Sequence, residues 1–341
     1  MLNNCVVCLN PGSSSLKVKI FDPNGLCLDQ CTIKEPVTDW VLQQVQRRCP
    51  QNVSAMVYRF VHGGPYHHPY HLTPLNMKKL EELSDFAPLH QDISLRCVHY
   101  FLNQDLNCDH FACFDTVFHD KARAPYPIPK KFYTMGFQKY GFHGLSYEFI
   151  SIHIQKNYPH LAARPYIVAH LGSGCSACLI HEGRSQDTTM GLTPLDGIVM
   201  STRCGSIDPG VVLAMVKKGL TYGDIEDELY RQSGLKAMSG VTGDLSQLIH
   251  DTSPDSKHAV DIFCTSVCQQ IAQLMISSPI PIHTIVFTGG IGLHLTLITQ
   301  RIKDMLCIHY TIKHVLTIET DEETMMFHLV QMMIESEYKL V

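Results

Sequence analysis

Two copies of one short pattern, half a chain apart, limit the possible folds more than any other feature. Val6-Val7-Cys8-Leu9 is an apolar run that breaks at Asn10-Pro11-Gly12-Ser13-Ser14-Ser15. It resumes as the alternating Leu16-Lys17-Val18-Lys19-Ile20-Phe21 and closes at Asp22-Pro23-Asn24-Gly25. Ile167-Val168-Ala169-His170-Leu171 breaks in the same way at Gly172-Ser173-Gly174, resumes as Cys175 to Ile180, and turns at His181-Glu182-Gly183-Arg184. Each copy reads as strand, small-residue turn and second strand. The spacing of roughly 160 residues is that of a domain, far above the ~20–50-residue period of a solenoid. The expectation is a duplicated α/β chain whose two similar domains face each other across a central cleft, where small ligands bind.

The remaining segments fill in that outline. Residues 74–86, 207–219, 257–277 and 322–338 carry helical spacing, while Phe111–Phe114 and Thr284–Phe287 read as buried strands. At 341 residues the chain exceeds one ordinary core, so two domains are expected, with a soft boundary near 145–165. The formal net charge of −5 provides no basic field for nucleic acid or anionic lipid. Nothing at the start resembles a secretion signal, and no run reaches the roughly 18–20 apolar residues of a spanning helix, so a cytoplasmic protein with no membrane partner is expected. Of the 14 cysteines, Cys5/Cys8 and Cys175/Cys178 have CxxC spacing. Both pairs lie in strand-like runs, where residues three apart point to opposite faces, so free thiols are expected rather than a zinc site.

Several short segments carry chemistry. The turn at Asn10–Ser15, followed by Lys17, offers N–H groups and hydroxyls to a phosphate, although a Ser-rich hairpin turn needs no ligand. It is not a Walker A loop, since no Gly-Lys-Ser/Thr opens a helix. Arg59, in Arg59-Phe60-Val61-His62-Gly63-Gly64, has a fork suited to a carboxylate or phosphate beside glycines that permit close approach. Asp115 follows an apolar strand, where an acid either holds a metal, positions an attacking oxygen or caps a helix. His143 stands between glycine-flanked residues in Tyr140-Gly141-Phe142-His143-Gly144, and Arg203 lies in the turn-rich Met200-Ser201-Thr202-Arg203-Cys204-Gly205. Two arginines from separate domains suit a reaction in which positioning and charge neutralisation do most of the work.

Taken in order, Asn-x-Gly-Ser-Ser-Ser-Leu-Lys, Arg-x-Val-His-Gly-Gly, Ala-Pro-Leu-His (Ala87 to His90), Phe-Asp-Thr-x-Phe-His, Tyr-Gly-Phe-His-Gly, His-Leu-Gly-x-Gly, Thr-Arg-x-Gly-x-Ile-Asp-Pro and Phe-Thr-Gly-Gly-Ile-Gly span nearly the whole chain. This series resembles the acetate kinase family, within the acetate, propionate and butyrate kinase group. The resemblance implies two ribonuclease H-like domains of the actin, sugar kinase and Hsp70 type. The first would span 1–150, with a C-terminal helix at about 322–341 packing back on it, and the nucleotide domain 151–321. It also implies reversible in-line transfer of the ATP γ-phosphoryl group to acetate, giving acetyl phosphate and ADP. Asn10 and Glu322 would hold Mg²⁺ (or Mn²⁺) through its waters. Asp115 would be the catalytic aspartate, Arg59 and Arg203 the active-site arginines, and His143 a donor to the transferring group. Ser13, Ser15 and Lys17 would form the first phosphate turn, with Val61 and His90 lining the acid site. His170, Gly172, Ser173, Gly174, Asp244, Gly290, Ile291 and Gly292 would bind the nucleotide. A homodimer is implied as well.

The departures fall mostly in the nucleotide half. Ser173 replaces an Asn, Ser246 an Arg, and Leu293-His294 a Glu-Asn. Tyr147 stands for a second His, and the family's Thr-Asn-Glu-Glu is Thr320-Asp321-Glu322-Glu323. Propionate or butyrate kinase activity, relaxed donor use including pyrophosphate, and a non-catalytic nucleotide- or metabolite-binding homologue therefore remain as alternatives.

Overall fold

A strand paired on both edges and packed on both faces must be apolar at nearly every position, and Cys5–Pro11 is such a strand. The computed structural model describes residues 4–12, 15–35, 37–48, 53–88, 90–104 and 106–338. Its first sheet contains β1 (Cys5–Pro11), β2 (Leu16–Phe21), β3 (Cys27–Ile33), β4 (Val53–Phe60), β5 (Tyr70–His71) and β6 (Asp109–Phe114), in the order β3-β2-β1-β4-β6-β5. β1, β2 and β3 run antiparallel, whereas β1, β4 and β6 are parallel.

A short ribbon, β7 (Ala124–Pro125) with β8 (Gln138–Lys139), precedes the second sheet. That sheet contains β9 (Tyr166–Leu171), β10 (Cys175–His181), β11 (Arg184–Thr188), β12 (Thr284–Thr288) and β13 (His314–Thr317), ordered β11-β10-β9-β12-β13. Its first three strands are antiparallel, and β9, β12 and β13 are parallel. Apart from the two-residue edge strand β5, this repeats the order and directions of the first sheet, so the duplication read from the two hairpins extends through both sheets. The turns close alike: Gly12 N donates to Ser15 O at 2.7 Å, and Gly172 N to Gly174 O at 3.1 Å.

The chain divides into two compact units. One comprises 1–120, 142–149 and 321–341, and the other 121–141 and 150–320. A single cut near 150 does not describe this division, because Lys121–Gly141 groups with the second unit. There Tyr140 N and Gly141 N donate to Gly191 O, and Lys139 pairs with Asp187.

In the first unit, the period of two along β1 assigns its side chains to two cores. Val7 and Leu9 pack with Val41, Leu42 and Val45 of the helix Asp39–Arg48 and with Leu95, Val98 and Phe101 of Gln91–Leu102. Val6 and Cys8 face Met325, Met326, Phe327 and Val330 of the C-terminal helix Glu322–Tyr338. Phe327 stacks on Phe21 with ring centroids 4.9 Å apart. Cys5 packs on the first of these cores and Cys8 lies in the second, as the CxxC argument required. The described cysteines are free thiols.

In the second unit the helix Pro254–Ser277 is capped by Ser253, with Pro254 in its first turn. By length and composition it is apolar enough to cross a bilayer, which the sequence reading overlooked. Its Phe263, Val267, Ile271 and Leu274 stripe is buried, as in a core helix. The helix expected over 74–86 is broken: only Lys78–Glu81 is α-helical, followed by a 3₁₀ turn at Ser84–Phe86. Asn76 explains the difference. Its Oδ1 accepts Thr73 N at 2.9 Å and its Nδ2 donates to His71 O at 2.8 Å, holding the preceding residues as a turn and leaving Leu75 exposed.

The helix Gly144–Asn157 starts in the first unit, where Leu145 and Phe149 pack on the Cys113 side of the sheet. Between them sits Glu148. Part of its side chain reaches solvent, yet burial of the carboxyl pushes it up to about 7. An acid with a raised folded-state pKa is held more favourably in its neutral form. The penalty is therefore absent below the unfolded value of 4.5 and grows as pH rises towards about 7. Glu148→Gln should leave stability unchanged near pH 4.5 and raise it by roughly 1–3 kcal/mol at pH 8, read by urea unfolding across pH. A stability difference that does not grow with pH would contradict the buried-carboxyl assignment.

Candidate active site

The first unit gathers its charged residues at the carboxyl ends of its parallel strands, where open α/β sheets place ligands. Asn10 is near the end of β1, Arg59 near the end of β4, and Asp115 directly follows β6. Arg59 donates from Nη2 to Asp115 Oδ2 at 2.6 Å and from Nε to Oδ1 at 3.1 Å. Its Nη1 donates to Asn10 Oδ1 at 2.9 Å and lies 3.2 Å from Glu322 Oε2. Asn10 Nδ2 in turn donates to Glu322 Oε2 at 2.8 Å and to Glu323 Oε1 at 2.5 Å. Ser94 Oγ donates to the Arg59 carbonyl at 2.7 Å, fixing the backbone behind the guanidinium.

These groups are nearly all buried. Asp115 is 1% exposed, and burial pushes its carboxyl up to about 6 against the downward pull of Arg59. Burial works against the Arg59 charge too, but Asp115 and Glu322 outweigh it and hold the guanidinium well above its usual value. Burial, and then the Glu322 charge, raise Glu323. Three carboxylates thus surround one arginine, with Lys17 drawing on Glu323 from outside. Buried, under-neutralised oxygen donors suit a divalent cation. Among the described residues no three His, Cys, Asp or Glu side chains converge as a direct metal cage.

His143 is tied to this network through its backbone. It takes the left-handed conformation, φ +58°, and the next amide, Gly144 N, donates to Asp115 O at 2.8 Å. A Cβ at Gly144 would collide with that carbonyl, so glycine is required there. Tyr147, where the family carries a second His, presents its ring to both His143 and His119, and His119 Nε2 donates to Phe142 O at 2.8 Å. Val61 is buried just beyond Arg59. His90 opens Gln91–Leu102, one turn before Ser94, and Gln91 holds the backbone of His62. Lys17 pairs with Asn10 in the β1–β2 register and is exposed, while Ser15 closes the turn. Ser13 lies outside the described residues.

The second unit brings other expected residues together. Thr288 at the end of β12 pairs with His170 on β9, and a Cβ at Gly172 would stand within 4 Å of both His170 Nε2 and Gly290 N. Gly289, φ +78°, passes tightly over the Leu171 carbonyl, whereas a side chain at Gly290 would meet nothing within 4 Å. The Thr288 hydroxyl is buried with no hydrogen-bond partner among the described residues. Gly174 is buried and Ser173 exposed; Ile291 and Gly292 continue the short helix Gly289–His294. Arg203 is 8% exposed, donates to Pro194 O at 3.0 Å, and burial lowers its pKa. Its loop is latched by Leu235 N to Met200 O and Ser233 N to Thr202 O. Asp244 caps the helix Leu245–Leu248, accepting Ser246 N at 2.9 Å and Ser246 Oγ at 2.7 Å, so the residue at the family's Arg position closes this cap.

Sequence reasoning missed Glu323, although the Glu-Glu doublet was visible. It also missed the ion pair of Lys19 with Asp321 and the steric demand at Gly144, which depend on residues distant in the chain.

The model of the Acetokinase family matches residues 37–328. The acetate kinase of Nitrobacter hamburgensis is 42% identical over 257 residues, a stretch covering 74% of this chain and 63% of that protein. The acetate kinase of Rickettsia typhi is 32% identical over 339 residues, covering 89% of this chain and 88% of that one. Among solved structures, a propionate kinase from Francisella tularensis superposes with a TM-score of 0.84 at 27% identity, covering 96% and 98% of the two chains. An acetate kinase from Entamoeba histolytica gives 0.82 at 25% identity, covering 96% and 99%. With its duplicated actin-like sheets and a family match over most of its length, this chain belongs to the acetokinase family.

Proposed function

We propose that the chain is an acetate kinase, transferring the γ-phosphoryl group of ATP to acetate and releasing acetyl phosphate and ADP. The observation that carries this reading is the largely buried Arg59, locked by Asp115, Asn10 and Glu322 beside an excess of carboxylate charge. Such a group is always charged and pre-oriented, as a reaction between two anions requires. In this reading Arg59 receives the acid, with Val61 and His90 beside it, and Arg203 neutralises phosphoryl oxygens. His143 donates to the transferring group. Asn10, Glu322 and Glu323 hold Mg²⁺ or Mn²⁺ through water, and the ion supplies charge neutralisation when bound. The glycine turns at 172–174 and 289–292 approach the nucleotide. A cytoplasmic setting agrees with the free thiols.

Hydroxylamine trapping of acyl phosphate, with acetate, propionate and butyrate crossed against ATP, GTP and pyrophosphate, tests the reading. Acetate with ATP and Mg²⁺ should give hydroxamate, and Arg59→Ala or Arg203→Ala should lower kcat/KM by about 10²–10³-fold. A stronger response to the longer acids would reassign the substrate. Efficient use of pyrophosphate would attach function to the altered Ser173, Ser246 and Leu293 positions. No hydroxamate with any pair would leave the non-catalytic alternative.

A homodimer is the second part of the proposal. The helix Pro209–Lys217 buries none of its residues, and Val211, Leu213 and Val216 are exposed, as are nearby Ile207 and Tyr222. Leu213 and Val216 lie on one side of this helix, and exposed apolar side chains grouped in this way suit a subunit contact. Light scattering should give twice the 38.4 kDa chain mass, and Leu213→Glu with Val216→Glu should halve it. A monomeric wild type, or a charged variant that stays dimeric, would reject this face.

A further inference from the structure

Three consecutive acids, Asp321-Glu322-Glu323, open the C-terminal helix, and only the last two reach Asn10. Asp321 faces elsewhere. Its carboxylate accepts Thr324 N at 3.0 Å and Thr324 Oγ1 at 2.7 Å, capping the helix, and lies 2.5 Å from Lys19 Nζ on β2. Both members of this ion pair are largely shielded, with side-chain exposures of 18% and 27%. Lys17 and Lys19 share one face of β2, and in the β1–β2 register they stand opposite Asn10 and Cys8. The start of the helix is therefore pinned from two neighbouring strands: from β2 through Lys19 and from β1 through Asn10.

We propose that Lys19 and Asp321 act as a positioning pair, setting the helix start so that Glu322 and Glu323 meet Asn10 and Arg59 in the arrangement that captures the divalent cation. This rests on the metal role given to those residues above. The pair touches neither substrate nor reacting atoms. It acts through its chain neighbour, because a shift at Asp321 is passed along one peptide to Glu322. The family pattern has Asn at this position, and Asp321 adds a charge that Lys19 meets. Groups that orient metal-holding residues typically change metal affinity by about 10–100-fold when removed. A partly exposed ion pair serving only as a helix clamp would change stability by about 1 kcal/mol or less and leave metal affinity alone.

Lys19→Met removes the charge, Asp321→Asn keeps an oxygen for Thr324 N, and Lys19→Arg keeps the charge. Mn²⁺ titrated into enzyme with ADP, with free ion counted by electron paramagnetic resonance, gives affinity without turnover. Lys19→Met and Asp321→Asn should each weaken Mn²⁺ by about 10-fold and raise the metal requirement of kcat. KM for the acid should hold steady, the metal-free Tm should fall by no more than about 4 °C, and Lys19→Arg should retain most of the affinity. Wild-type Mn²⁺ affinity in both charge-removing variants overturns the proposal. Loss in Lys19→Arg equal to that in Lys19→Met, or a wild type that takes up no Mn²⁺, does so as well. If the wild type binds Mn²⁺ as described but forms no acyl phosphate, the kinase reading fails while the positioning pair stands.

Discussion

A guanidinium taken out of water must find its partners inside the protein, and Arg59 imposes that condition on the first unit. An unpaired buried charge costs several kcal/mol, so each of the groups that Arg59 touches has to be placed by the fold. Asn10 and Asp115 come from the ends of strands flanking β4, and the sheet order β1-β4-β6 brings them to either side of Arg59. Glu322 comes from the far end of the sequence. It arrives only because Met325, Met326, Phe327 and Val330 bury themselves against Val6, Cys8, Ala55 and Val57. Packing that would otherwise serve stability alone thus delivers the third partner of Arg59.

The duplication separates the work. Both units repeat one sheet order, but the ends of equivalent strands carry different chemistry. The first ends in Asn10, Arg59 and Asp115, joined to one another by hydrogen bonds through Arg59. The second ends in His170 and in glycine turns whose backbone stands open at Gly290, with Arg203 held by a latched loop. In the first unit the carboxylates are engaged by Arg59 and Asn10.

Much of this was legible in the sequence, for identifiable reasons. Strands buried on both faces show as continuous apolar runs, so β1, β9, β10 and β12 stood out. The alternation of strand side chains put Cys5 and Cys8 on opposite faces of β1, where separate cores take them up. The motif series located Arg59, Asp115 and Glu322. What escaped was set by partners that local patterns do not reveal. Pro74–Phe86 has helical spacing, but the Asn76 side chain bonds back to the chain and breaks the helix. Lys121–Gly141 has no strong periodicity, and its grouping with the second unit depends on bonds to Asp187 and Gly191. Lys19 and Asp321 look like two ordinary surface charges until the C-terminal helix docks.

The central claim is that this centre promotes transfer by fixing charges around two approaching anions, with the phosphoryl group passing directly from donor to acid. The most direct test is stereochemical. ATP made chiral at its γ-phosphorus with oxygen isotopes is turned over with acetate, and the configuration of the phosphoryl group in acetyl phosphate is determined. A single in-line displacement inverts the configuration, which is the predicted result. Retention would require two displacements through a phosphorylated side chain and would contradict the account.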